Sequence, residues 1–283
     1  MGLDTVLVLL ALFAVAVAAG TFGALAGLGG GIIIVPVLTL FFGVNVHYAI
    51  GASVVSVIAT SCGAAATYIK ANLTNIRIGL FLEMATTVGA LSGAFVGVYL
   101  AGPILFFIFA VVLGLSAFVM WRKRNQEQAQ KVEPDSWSKK LKLGDHYFDS
   151  ASGQEVAYEV QGARPALGVM YIAGVVSGLL GIGSGALKVP AMDLLMKLPI
   201  KVSSATSNFM IGVTAATSAG VYLARGYINP YLAAPVALGV LLGSVVGSKL
   251  LIKLQGGVIR RLFIILLIVL TLQMFLKAFG VGF

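Results

Sequence analysis

Gly27-Leu28-Gly29-Gly30-Gly31-Ile32-Ile33-Ile34-Val35-Pro36 recurs 154 positions later as Gly181-Ile182-Gly183-Ser184-Gly185-Ala186-Leu187-Lys188-Val189-Pro190, without a gap and with five of ten residues identical. Each copy breaks a hydrophobic stretch. Paired interruptions at matching places in the two halves of a membrane carrier point to a substrate site near the bilayer midplane. The same offset relates Ser53 to Ser207, Thr60 to Thr214, Tyr68 to Tyr222, Asn75 to Asn229, Gly89 to Gly243 and Gly93 to Gly247. The chain reads as a transporter built by duplication.

The composition agrees. Of 283 residues, 59% are hydrophobic and 10% charged, against about 25% charged in soluble domains. Stretches near 48–69, 76–98, 102–121, 203–224, 229–251 and 259–278 are long enough to cross ~30 Å of hydrocarbon at ~1.5 Å per residue. The segments carrying the breaks differ: arms 11–26 and 32–43 in the first copy, and 165–180 and 186–198 in the second, read as short helices on either side of a Gly-rich tip. The apolar N-terminus lacks the basic residues of a signal peptide, its only early charge being Asp4, and residues 11–26 repeat 165–180, so it belongs to the fold.

Lysine and arginine placement orients the halves, because short cytoplasmic loops are enriched in them. If each broken segment is a hairpin that enters and leaves on one side, each half makes three crossings and the repeats are inverted. Sixteen basic residues then lie on the linker side and only Arg225 and Lys277 lie outside, with Lys188 set aside as intramembrane. Counting each broken segment as a crossing makes the repeats parallel and strands Lys249, Lys253, Arg260 and Arg261 outside. The inverted arrangement is therefore expected: an all-α polytopic membrane protein of two inverted repeats, each a broken-helix hairpin plus three transmembrane helices. Residues 1–121 form the first repeat, 122–163 a cytoplasmic linker and 164–283 the second repeat, with both termini outside.

The linker opens on Arg122-Lys123-Arg124, a stop-transfer flank suited to anionic lipid. Farther on, 145–149 and 154–160 read as two short strands around Ser150-Ala151-Ser152-Gly153. The net charge of +9 is explained by these membrane flanks and not by a nucleic-acid surface. The lone Cys62 excludes an intramolecular disulfide and offers no metal cluster. His47 and His146 fall on opposite sides, so no metal or other cofactor is expected.

At the tips, glycine permits the left-handed backbone of a reversal and lets the main chain approach a ligand. The second arm of each hairpin starts at its tip, so its free N–H groups and positive dipole end face the membrane centre. Two such ends arriving from opposite sides make an anion site from Gly29, Gly30 and Gly31 with Gly183, Ser184 and Gly185. Glycines can equally serve close helix packing. Ser53 and Ser207 on the following spans add hydroxyls near the hairpins, and Asn208 has no polar twin, since Val54 stands in the first copy. Lys188 replaces Ile34, about 4–5 Å along the arm from the tip, and lacks a partner on its own helix. Glu83 is another buried candidate, in a span but nearer the cytoplasmic end; it can pair with Lys188, bind a proton or snorkel to the interface.

The duplicated Gly-x-Gly-Gly-Gly…Val-Pro element, followed by Ala52-Ser53 and Thr206-Ser207, resembles the sulfite exporter TauE/SafE family of membrane carriers over nearly the whole chain except the linker. The resemblance implies export or uptake of small organic or inorganic anions, often sulfur-containing, across the bacterial or archaeal inner membrane. The second copy departs from the pattern at Ser184 and Lys188. The expected function is a secondary transporter, with a small anion and the lipid bilayer as partners. A coupling proton or sodium ion and a homo-oligomer are left open. An anion channel is the alternative; an intramembrane hydrolase using Ser184 would need a base within reach, and the spans hold no histidine.

Overall fold

The computed structural model describes residues 3–122 and 132–280. The first half comprises α1 (Leu3–Ala26), α2 (Gly31–Leu40), α3 (Val46–Lys70), α4 (Ile76–Gly97) and α5 (Gly102–Arg122). A connecting region holds α6 (Ser136–Lys140) and the strands β1 (Asp145–Asp149) and β2 (Gln154–Tyr158). The second half repeats the first as α7 (Ala163–Leu180), α8 (Gly185–Leu194), α9 (Ile200–Ala224), α10 (Pro230–Lys253) and α11 (Gly256–Ala278). Lys123 and Arg124 of the expected stop-transfer flank lie outside the described residues.

Seven of the described helices, α1, α3, α4, α5, α7, α10 and α11, are long and apolar enough to cross a membrane. The eighth long helix, α9, is too polar for that criterion because it lies inside the bundle. Its Ser203, Ser204, Thr206, Ser207, Asn208, Thr214 and Ser218 are all buried, facing protein instead of lipid. The repeated asparagines are helix caps: Asn75 accepts from the Ile78 N–H at the start of α4, and Asn229 from the Tyr231 N–H at the start of α10. Each thus satisfies a donor that the first turn leaves free.

One expected boundary is corrected. The first arm is not a short helix over 11–26 but 24 residues long, about 36 Å at ~1.5 Å per residue. Nothing between Leu3 and Gly20 interrupts the helix, whereas its counterpart α7 starts only after Gly162, which is left-handed at φ 67°.

Glycine rows set the helix packing. Gly89, Gly93 and Gly97 on α4 lie in turn against Tyr171, Val175 and Leu179 on α7, so these helices run in the same direction. Gly239, Gly243 and Gly247 on α10 lie likewise along Phe13, Val17 and Thr21 on α1. Small residues let the backbones approach closely, which drives association where lipid supplies no hydrophobic force. The first helix of each half thus packs on the fourth of the other. Across the centre the order reverses: Val57 clusters with Ala215 as well as Ile211, and Ser61, farther along α3, meets Asn208 and Gly212, so α3 and α9 run antiparallel.

The expected strands form an antiparallel hairpin in which Asp145 pairs with Tyr158 and Asp149 with Gln154. A lone hairpin is marginal in water, and this one is tied to the helices. The Asn75 side-chain amide donates to the Leu143 carbonyl and the Tyr158 hydroxyl, and the Arg77 guanidinium donates to the Lys142 carbonyl. Buried Lys201, at the start of α9, donates to Asp149 at 2.6 Å and to the Ile252 carbonyl.

Candidate functional site

The two breaks meet. Gly29 and Gly183, left-handed at φ 64° and 75°, both abut the side chains of Val57 and Ile211 at the centre of the bundle. Gly31 faces the Gly181 carbonyl and Gly185 the Gly27 carbonyl, so each second arm begins against the opposite tip. A Cβ at Gly185 would overlap the Gly27 oxygen, which only glycine avoids. Ser184 departs from its twin: its φ is 57° where that of Gly30 is −26°, and its hydroxyl turns back to the Gly183 carbonyl at 2.7 Å.

Two reciprocal hydrogen bonds hold the tips. Ser53 Oγ donates to the Gly181 carbonyl at 2.6 Å, and Ser207 Oγ to the Gly27 carbonyl at 2.7 Å. Tyr68 donates to the Ala24 carbonyl and its twin Tyr222 to that of Gly178, capping the first arms. The Asn208 amide nitrogen donates to the carbonyls of Ala24 and Ser204, which leaves its Oδ1 buried and without a partner among the described residues. The Gly27 and Gly181 carbonyls are thus occupied, while the facing donors are not. Among the described residues, the N–H groups of Gly30, Gly31 and Ile32 at one tip and of Gly183, Ser184, Gly185 and Ala186 at the other donate to no acceptor. All seven residues are buried. Every helix start leaves donors free, but such donors inside a membrane are costly unless a ligand or water takes them.

The structure gives Lys188 a partner that its own helix does not. Its Nζ lies 3.3 Å from Glu83 Oε2 on α4 and donates to Thr214 Oγ1 at 2.6 Å. Thr214 in turn donates to Glu83 Oε1 at 2.6 Å, and Thr86 donates to Oε2 at 2.8 Å. Sequence reasoning named both charges but gave Thr214 no part in their pairing. The halves themselves contained the signal: the twins of Lys188, Glu83 and Thr86 are Ile34, Ala237 and Val240, so these three members of the cluster break the repeat, while Thr214 keeps its twin Thr60.

The site residues expected from sequence therefore fall into two adjoining groups. Gly29, Gly30, Gly31, Gly183, Ser184, Gly185, Ser53, Ser207 and Asn208 surround the tips, and Lys188 reaches from the first turn of α8 to the Glu83 cluster.

A family model for "Sulfite exporter TauE/SafE" matches residues 12–274. The chain belongs to the sulfite exporter TauE/SafE family. A Bacillus subtilis relative named "Probable membrane transporter protein YunE" is 31% identical over 90% of this chain and 93% of its own length. A Methanocaldococcus jannaschii relative, "Probable membrane transporter protein MJ0441", is 27% identical over 83% of this chain and 82% of its own length. No solved structure matches. The protein is a multi-pass membrane transporter of this family and not an enzyme.

Proposed function

We propose that the protein is a secondary transporter that moves a small, sulfur-containing organic or inorganic anion across the bacterial or archaeal inner membrane, by alternating access around the meeting point of the two tips. The observation that carries this reading is the convergence of two sets of buried, acceptor-free N–H groups at the starts of α2 and α8. Donors so arranged suit an anion, and their helix dipoles add to the attraction. Ser53 and Ser207, now held by opposite-tip carbonyls, and Asn208, now held by the Ala24 and Ser204 carbonyls, become available to the anion when the tips part.

The antiparallel run of α3 against α9, equivalent helices of the two halves, supports inverted repeats. The basic-residue asymmetry supports the same reading, with a cytoplasmic linker and both termini outside. Alternating access is then a rocking of the bundle about the tips. Proteoliposomes loaded with sulfite, thiosulfate, sulfoacetate or short carboxylates should show saturable counterflow of at least one of them. Conductance far above carrier turnover would instead make the protein a channel, and counterflow of none would remove the transport reading.

A further inference from the structure

The Glu83 cluster is not required by the fold. At the matching positions of the first-half hairpin and of α10, Ile34 is fully buried and Ala237 carries no charge, so the same packing closes with apolar side chains. A buried ion pair often gives no more stability than well-packed apolar residues of like volume. Ionisable residues inside a membrane are costly and mark ion or proton pathways. The geometry also gives each group a second option. Thr214 has one hydroxyl hydrogen; it lies 2.6 Å from Glu83 and 3.2 Å from its own Met210 carbonyl, so it can turn to the backbone when Glu83 no longer accepts. Lys188 has three N–H donors and, among the described residues, two acceptors, Glu83 and Thr214. Lys188 itself stands on the first turn of α8, the helix that begins at the acceptor-free N–H groups of the second tip.

We propose that Glu83 is the proton-coupling site of transport: when it takes up a proton, Lys188 passes from Glu83 to the transported anion, and when it ionises again it reclaims Lys188 and the anion leaves. This rests on the anion-transport reading. The proton adds to a carboxylate oxygen and turns an acceptor of Lys188 and Thr214 into a neutral acid. Lys188 keeps its charge throughout. One proton therefore enters with each negative charge on the anion that Lys188 neutralises, and release reverses both. The groups facing Glu83 are Lys188 from α8, Thr214 from α9, and Thr86 and Thr87 from its own helix. Lys188 is the only charged one among the described residues, so the exchange is between a single acid and a single base.

The test uses the full chain in proteoliposomes with the same anions as probes, with and without an imposed pH gradient at zero membrane potential. For the wild type, a gradient alkaline inside should drive accumulation of any anion that shows counterflow. In Glu83→Gln the ratio of uptake with the gradient to uptake without it should fall to one, whatever the absolute rate, while Glu83→Asp should keep a ratio above one. A second measurement needs no variant: adding the exchanged anion to purified protein in weakly buffered detergent should cause proton uptake reported by a pH dye. A wild type that exchanges an anion but neither responds to the gradient nor takes up protons overturns the coupling role and leaves the transporter reading intact. Unchanged gradient response in Glu83→Gln also overturns it. Absence of counterflow in the wild type removes the transporter reading first and this inference with it.

Discussion

Thr60 and Thr214 occupy matching places in the two halves, yet Thr60 donates to the Ser56 carbonyl of its own helix while Thr214 donates to Glu83. The first is the ordinary fate of a hydroxyl in a membrane helix; the second exists only because a carboxylate stands opposite. This contrast makes the energetics testable with the protein's own alternative. Lys188→Ile installs the side chain of the twin, but leaves Glu83 buried without its cation. Breaking a buried ion pair by removing one partner costs about 3–5 kcal/mol, whereas removing both is often neutral. Thermal unfolding in detergent should therefore show Lys188→Ile strongly destabilised and the double variant Lys188→Ile with Glu83→Ala restored to near the wild-type midpoint. The double variant should still bind the anion poorly in counterflow, because the cation is gone. A double variant as unstable as the single would mean that the lysine stem, and not the charge balance, holds α8 in place. In the sequence, Lys188 is visible as an anomaly at once. Its pairing with Glu83, 105 positions away, stood in the sequence as one option among three, because which helix faces α8 is decided by packing between glycine rows and not by local pattern.

The connecting hairpin is the element whose attachment depends most plainly on charge. Partial burial of Asp149 acts to raise its carboxyl pKa, but the hydrogen bond and charge of Lys201, with donors from Ala151 and Ser152, outweigh it and hold the carboxyl below its ordinary value. A carboxyl depressed in the docked state stabilises docking at pH above its free value, and loses that contribution as pH falls through the depressed one. Limited proteolysis of the 132–162 region should accordingly be slow at neutral pH and accelerate on acidification below the usual carboxylate range. In Asp149→Asn it should be fast already at neutral pH and change less; equal protection in both proteins would show that Asn75 and Arg77 suffice to dock the hairpin. The strands were legible from their alternation and the Ser-Ala-Ser-Gly turn, and the long spans from apolar length alone. The extent of α1 was hidden because its first turns have no counterpart in α7, so the repeat that revealed the breaks understated the helix. The docking of the hairpin was hidden because it rests on Lys201 and Asn75, which in sequence read as one of the basic membrane flanks and as a position repeated in the second half.

At the scale of the molecule, the two sequence halves are not the two packed bodies. Helices α1 and α10 share a glycine row, as do α4 and α7, so each half lends a helix to the other and neither buries its glycine row alone. The groups α1–α3–α10 and α7–α9–α4 are related by the repeat and touch through α3 and α9, with both tips lodged at that contact. Rocking one group against the other would part the tips and break the Ser53 and Ser207 bonds together, which is what alternating access about a shared site requires. That mechanism needs the two groups to present opposite ends to the two sides of the membrane, so orientation is its decisive test. Translocating a cluster of basic residues is disfavoured, and sixteen of them lie on the linker side when the repeats are inverted. In a Cys62→Ala background, needed because Cys62 is exposed on α3, an impermeant maleimide should label Tyr231→Cys, 81% exposed beside the α9–α10 turn, in intact cells. Ser150→Cys, at the exposed turn of the hairpin, should label only after permeabilisation. The reverse pattern would put the linker outside and set the antiparallel packing against the charge distribution. Labelling of both in intact cells would place the two turns on one side and remove the inverted repeat itself.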